Sequence, residues 1–162
     1  VVHLENNWRI NPEIAGGGYF FDLASHQLDL LDFFFGPVTK ASGFSSNQAK
    51  AYHAEDIVTG SFVFENGVLG SGNWCFTTSR TAEIDEIIIY GSKGLIRFET
   101  FGKGEFTLES DQEDPIHYHV DLPKHIQQPL IKTIVEDLLG TGTCPSTGRT
   151  AARTNWVMGE MV

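Results

Sequence analysis

Asp22 and His26, near the start of the chain, have side chains that could exchange and steer a proton. They are four residues apart, and on an α-helix this spacing places both side chains on one face, within reach of each other. A carboxylate beside an imidazole can orient the ring, fix its tautomer and raise its basicity. We therefore predict that His26 is a general acid/base and that Asp22 orients it.

A run of three glycines, Gly16 to Gly18, comes shortly before this pair. Because glycine has no Cβ, another molecule can approach such a backbone closely, and the run favours a pocket beside Asp22 and His26. It is not the dinucleotide-binding fingerprint, since Phe21 stands where that pattern needs its last glycine. A flexible helix entry is the alternative interpretation of the glycines, and a surface ion pair is that of the two titratable residues.

Two further pairs of residues could bind ligands. Trp8 and Arg9 could stack on a flat ring and bind its polar edge, although a core tryptophan beside a surface arginine is the alternative. His117 and His119 lie on one face of a predicted strand, as half of a metal site would. No third ligand stands at a recognisable spacing, and a polar strand face explains the pair equally well. We expect no metal.

Composition excludes several classes of protein. The 162 residues suggest one domain, and 41% hydrophobic residues are enough for a packed core. A net charge of −10 argues against nucleic acid or an anionic membrane as the main partner. Two cysteines without a CxxC spacing fit a reducing compartment, so we expect a cytoplasmic protein. The chain begins without Met and stops inside a predicted helix, which suggests a piece of a longer protein.

The periodicity of apolar residues predicts helices at both ends and strands between them. A strand over Val1 to Glu5 and a loop to Ala15 precede a helix from about Gly18 to Phe35, which Gly36-Pro37 ends. Later helices are predicted over Pro129 to Leu139 and from a cap at Ser146 or Thr147. Strands are predicted over Val38 to Phe44, Ile57 to Phe64, Val68 to Phe76, Glu83 to Tyr90, Leu95 to Phe101, Glu105 to Glu109 and Ile116 to Leu122.

Successive hairpins, the first closed by Asn66-Gly67, imply antiparallel pairing. The predicted fold class is therefore α+β, an open, mainly antiparallel sheet with helices packed on one face. Apolar residues occur on both faces of the first hairpin, and a broad, partly apolar open face is usually an interface. We expect a homo-oligomer formed through that open sheet face.

The chain resembles the C-terminal domain of the glucose–fructose oxidoreductase / inositol dehydrogenase (Gfo/Idh/MocA) family over its whole length. The likeness rests on the residues and motifs already described and on several turns and a closing segment: Trp8-Arg9, Pro12, Ala15-Gly16-Gly17-Gly18, Asp22, Ser25-His26, Leu28-Asp29, Asn66-Gly67, Gly91-Ser92-Lys93-Gly94, Cys144-Pro145-Ser146-Thr147-Gly148 and Arg153-Thr154.

The resemblance implies one domain over residues 1–162, similar to the C-terminal domain of glyceraldehyde-3-phosphate dehydrogenase, from a two-domain parent. The parent would transfer a hydride between NAD or NADP and a sugar, sugar acid or polyol. Its Rossmann domain, absent here, would bind most of the cofactor and supply a catalytic lysine, so this chain alone would have no turnover.

The same resemblance assigns roles to particular residues. His26 would be the acid/base and Asp22 its orienting partner. Trp8 and Arg9 would contact the cofactor, and the substrate would lie against Gly17, Gly18 and Tyr19. Two alternatives remain: a binding or assembly module that kept this fold without redox chemistry, and an NAD-dependent glycosidase that retains its cofactor through the cycle.

Overall fold

The computed structural model describes residues 7–162, so the strand predicted over residues 1–5 lies outside the described residues. The chain divides into two compact units. The first contains residues up to 82 together with residues 145–162, and the second contains residues 83–144. Within the described residues, no helix is long and apolar enough to cross a membrane.

A three-stranded antiparallel sheet and the helices around it form the first unit. A 3₁₀ turn over Trp8–Ile10 and a four-residue helix lie where the sequence predicted only a loop, because Asn11 ends the turn and caps the helix that Pro12 begins. The elements that follow the turn are α1 (Pro12–Ala15), a π-helical turn (Phe20–Ala24), α2 (Ser25–Phe35), β1 (Val38–Ser46), β2 (Ile57–Phe64), β3 (Leu69–Cys75) and α4 (Gly148–Gly159).

The core of this unit lies between the sheet and the helices. Phe20, Val58 and Met161 are almost completely buried there. Apolar residues recur along the π turn and α2 at nearly helical spacing, so one stripe of these elements packs on β2. The same cluster includes the buried residues Ala24, Leu28, Val38, Phe62, Phe64, Val157 and Met158.

A four-stranded antiparallel sheet and one helix form the second unit. Strands β4 and β5 are joined across the turn that the sequence predicted at Gly91 to Gly94. Segment 83–86, predicted as strand, instead precedes β4, where Asp85 accepts the Phe101 N–H at 2.7 Å. The elements are β4 (Ile87–Gly91), β5 (Gly94–Phe98), β6 (Glu105–Glu109), β7 (Ile116–His119) and α3 (Gln128–Leu138).

The predicted fold class is confirmed: the chain is α+β, and over residues 7–162 seven strands, all paired antiparallel, fall into two sheets. The bounds of β2 and β6 agree with the prediction. The predicted ends of β5 and β7 were wrong, because the ladder stops at Phe98 and at His119. Thr147 caps α4, and its hydroxyl accepts the Thr150 N–H as predicted for one of the two candidate caps.

An ion pair fastens α4 to α2. Arg153 donates from Nε to one oxygen of the Asp32 carboxylate at 3.0 Å and from Nη2 to the other oxygen. Asp32 is 7% exposed, so its charge depends on this partner for compensation. The hydrogen bond to Asp32 raises the pKa of the Arg153 guanidinium, which stays charged at any physiological pH.

We predict that Asp32→Ala lowers the free energy of unfolding by about 1–3 kcal/mol, because a half-buried guanidinium loses both hydrogen bonds. Urea unfolding measures the change. Arg149→Ala, on an exposed position of the same helix, is the control and should stay within about 0.5 kcal/mol of the parent. Equal midpoints for the two variants would contradict the importance of this pair.

Candidate active site

Trp8, Arg9 and Asp22 are joined in the structure. The Arg9 guanidinium lies 4.7 Å from the centroid of the Trp8 ring, and its Nε lies 3.0 Å from the Asp22 carboxylate. Both members of the ion pair are partly exposed, with 45% and 35% of their side-chain surface accessible. Such a pair contributes little stability, about 0–1 kcal/mol, but it fixes the side chain of Asp22 relative to the Trp8 indole.

The first glycine of the run is a helix stop. Gly16 ends α1 with a left-handed backbone, φ 79°, and its N–H donates to the Pro12 carbonyl at 2.9 Å. Residues with a Cβ rarely adopt this conformation, so a glycine here follows from the turn itself.

Gly17 and Gly18 are buried, and the groups that approach them belong to the protein. The Phe21 ring lies where a Cβ of Gly17 would stand. A Cβ on Gly18 would lie 2.8 Å from the Ala54 Cβ and 2.9 Å from the Glu55 carbonyl oxygen. We predicted that these two glycines leave space for another molecule. On the side where a Cβ would stand, this was wrong, because protein atoms fill that space at both glycines.

Asp22 lies on the π-helical turn Phe20–Ala24, and α2 begins only at Ser25. The prediction of one α-helix from Gly18 was therefore wrong. A π turn holds more residues than an α turn, so the spacing from Asp22 to His26 is not that of an α-helix. The Ser25 hydroxyl donates to the Asp22 carbonyl at 2.8 Å, and the Asp22 carboxylate is paired with Arg9. Orientation of His26 by Asp22 stays a prediction.

His26 is exposed and occupies the first turn of α2. It lies off the apolar stripe that packs on β2, as the sequence predicted. Its neighbour Gln27 accepts a hydrogen bond from the Trp74 indole of β3, which anchors this turn of the helix to the sheet. The imidazole is therefore presented outward from a helix that is itself fixed to the core.

Tyr19, the third predicted substrate contact, is half-buried beside the loop that precedes β2. Its phenol oxygen accepts the Asn7 amide at 2.6 Å, and its ring meets the Tyr52 ring edge-on at 6.0 Å. Burial raises the pKa of the Tyr52 phenol, and the negative charges of Asp56 and Glu55 raise it further. Tyr52 therefore stays neutral and serves as packing for Tyr19.

The two histidines of the second sheet lie beside polar side chains. His117 Nδ1 lies 3.0 Å from the Thr107 hydroxyl, and His119 lies beside Glu105 and Asp121. Over residues 7–162, no three or more His, Cys, Asp or Glu side chains converge where they could hold a metal ion.

Sequence reasoning missed two contacts of this region. One is the Arg9–Asp22 ion pair, and the other is the bond from the Gly18 N–H to the Glu55 carboxylate at 2.9 Å. The adjacent carboxylates Glu55 and Asp56 at the start of an apolar strand were the available signal for the second contact, since buried strand ends seldom carry two acids without partners.

Comparison with known proteins identifies relatives of the whole chain. The C-terminal-domain model of the GFO/IDH/MocA family matches residues 2–97. Oxidoreductase P35 of Formosa agariphila is 35% identical over 159 residues, which cover 98% of this chain and 47% of that protein. The chain therefore spans about half the length of the relatives it matches.

Solved structures show the same fold. An aldose-aldose oxidoreductase from Caulobacter crescentus, complexed with glycerol, superposes with a TM-score of 0.77 at 16% identity, over 98% of this chain and 48% of that one. A levoglucosan dehydrogenase complexed with NADH and levoglucosan gives a TM-score of 0.78 at 16% identity, over 96% of this chain and 50% of that one. An oxidoreductase from Thermotoga maritima gives a TM-score of 0.76 at 17% identity, over 99% of this chain and 46% of that one.

We predict that Gly18→Ala destabilises the chain by about 1–3 kcal/mol, because the new methyl group would overlap Ala54 and the Glu55 backbone. Gly148→Ala is the matched control. No heavy atom lies within 4 Å of a Cβ there, and alanine favours the helix, so the change should be neutral or slightly stabilising. Thermal unfolding of both variants tests this, and a Gly18→Ala protein as stable as the control would refute the close packing.

Proposed function

The chain belongs to the GFO/IDH/MocA family of oxidoreductases as a C-terminal domain, and we propose that it supplies the substrate side of a nicotinamide-dependent enzyme acting on a sugar, sugar acid or polyol. The observation that carries the proposal is an exposed histidine, His26, in the first turn of a helix fixed to the core of such a domain. Relatives of this fold include proteins solved with glycerol and with levoglucosan, both polyhydroxylated molecules.

In the proposed reaction, His26 accepts the proton of the substrate hydroxyl while the carbon bearing it loses a hydride. The nicotinamide cofactor, when bound, supplies the hydride chemistry. A neutral imidazole is suited to this step because its ordinary pKa lies near neutrality. In the reverse direction His26 returns the proton to the carbonyl oxygen as it becomes a hydroxyl.

Asp22 and Trp8 would complete the site. The Asp22 carboxylate, held by Arg9, would stabilise the imidazolium that forms at His26 by its negative charge. The Trp8 ring is 51% exposed and carries Arg9 beside it, which suits contact with a planar ring that has polar edges. Most of the cofactor would be held by the remainder of the parent protein.

We predict that His26→Ala in the full-length parent lowers turnover by about 10²–10⁴-fold, because the proton loses its acceptor. Steady-state absorbance of the reduced nicotinamide measures turnover on a panel of sugars and polyols, and fluorescence titration measures cofactor affinity, which should not change. His125→Ala, an exposed histidine of the second unit, is the control. Turnover retained in His26→Ala would exclude the assigned role.

We further propose that copies of the chain associate through the outer face of the first sheet. Its inner face is covered by helices, whereas Phe44 of β1 is 83% exposed and Leu69 of β3 is 76% exposed. Phe44 pairs with Thr59 of β2 and Leu69 pairs with Val63 of β2, so both side chains lie on the same face of the sheet. Exposed apolar groups of this size on a regular sheet are typical of interfaces.

We expect a mass that is a multiple of 17.9 kDa by light scattering at micromolar concentration. The double variant Phe44→Ser, Leu69→Ser should shift the mass toward the single chain, because it removes two large apolar side chains that are highly exposed on that face. Phe33→Ser, which alters an exposed aromatic of α2 instead, should leave the mass unchanged. A single-chain mass for the unaltered protein would disprove association.

A further inference from the structure

The loop between β1 and β2 is fixed at its end by a buried acid. Asp56 is fully buried, and its two carboxylate oxygens accept the backbone N–H groups of Gln48 at 2.8 Å and Ala49 at 2.7 Å. The Thr77 hydroxyl, which follows β3, donates to the same carboxylate at 3.2 Å. A carboxylate with three donors anchors both the start of the loop and the neighbouring segment.

Bonds inside the loop make it compact. Asn47 donates from its amide to the Tyr52 carbonyl at 2.6 Å and accepts the Lys50 N–H at 3.0 Å. Tyr52 and Ala54 are buried and pack with Ile10 and Tyr19, close to the start of the candidate site. The loop is therefore a compact support that packs against Tyr19, the residue after the glycines.

Glu55 connects this support to the glycine segment. Its Oε1 accepts the Gly18 N–H at 2.9 Å, and the Gly18 carbonyl accepts the Phe21 N–H at 3.2 Å, next to Asp22. The two polar groups of Gly18 thus link the Glu55 carboxylate to the π turn. Gly18 is buried, so without Glu55 its N–H would lose its partner at a place with little access for water.

We propose that Glu55 is a positioning residue of the candidate active site, acting through Gly18 on the turn that bears Asp22. It touches neither substrate nor cofactor in this assignment. Removing its carboxylate frees the Gly18 peptide, and the π turn then moves relative to Trp8, Arg9 and His26. The catalytic consequence rests on the proposed function, whereas the link from Glu55 to Gly18 is testable without it.

Amide hydrogen exchange in the 162-residue chain, followed by NMR, tests the link. In Glu55→Ala, exchange at Gly18 should accelerate about 5- to 10-fold, because one hydrogen bond that resists local opening is lost. Glu55→Gln keeps an acceptor oxygen at the same reach and should restore slow exchange to within about twofold. Exchange at the β2 amides should not change, which separates local loosening from global destabilisation.

A control variant and a substitute variant complete the test. Glu65→Ala removes an exposed acid in the turn after β2 and should leave Gly18 unchanged. If Glu55→Ala does not fold, Glu55→Asp replaces it, since the aspartate side chain is one methylene too short to reach Gly18. The Gly18 amide should then exchange fast in Glu55→Asp and slowly in Glu55→Gln. Unaltered exchange at Gly18 in the shortened or truncated variant, or fast exchange in Glu55→Gln, would overturn the link.

Kinetics of the full-length parent test the positioning role. Glu55→Ala should lower kcat on the order of 10-fold by displacing Asp22, leave the dissociation constant for the nicotinamide cofactor unchanged, and be rescued by Glu55→Gln. Faster exchange at Gly18 with an unaltered kcat would overturn the positioning role. A parent without turnover on any sugar or polyol would instead contradict the proposed function, while the exchange result would still decide the link to Gly18.

Discussion

The close approach of Gly18 to Ala54 and Glu55 is the contact on which the candidate site depends. A backbone can come this near only where no Cβ intervenes, which requires glycine at position 18. The contact brings two segments 37 residues apart into one unit and gives the Gly18 N–H its acceptor. The π turn and the first turn of α2 follow Gly18 directly along the chain, and the Gly18 carbonyl accepts the Phe21 N–H of that turn.

The sheets and the helix ends were predictable because their signals are local. Alternation of apolar residues and the Asn66-Gly67 turn specify the β2–β3 hairpin, and Thr147 specifies the start of α4 through a cap. Strand ends were less predictable. Segment 83–86 has Ile84 as its one apolar residue among three acids, and side-chain contacts of Asp85 and Glu86 hold it instead of a ladder.

The candidate site residues stay predictions, whereas the contacts that hold them could not be predicted from the sequence. Asp22 and His26 are visible from residue type, yet the apolar stripe of Phe20, Ala24 and Leu28 fits both an α-helix and the π turn that the structure contains. The Arg9–Asp22 and Gly18–Glu55 contacts depend on tertiary packing, which spacing does not encode. The sequence singled out the glycines for a pocket, but Phe21 packs against Gly17 and the loop before β2 packs against Gly18.

The central claim is that the exposed imidazole of His26 meets the reacting hydroxyl. A crystal structure of the full-length parent with its nicotinamide cofactor and a polyol that it turns over tests this most directly. We expect a His26 ring nitrogen within hydrogen-bond reach, roughly 2.6–3.2 Å, of the hydroxyl on the carbon facing the nicotinamide. A substrate bound against other residues, with His26 left facing solvent away from it, would contradict the account.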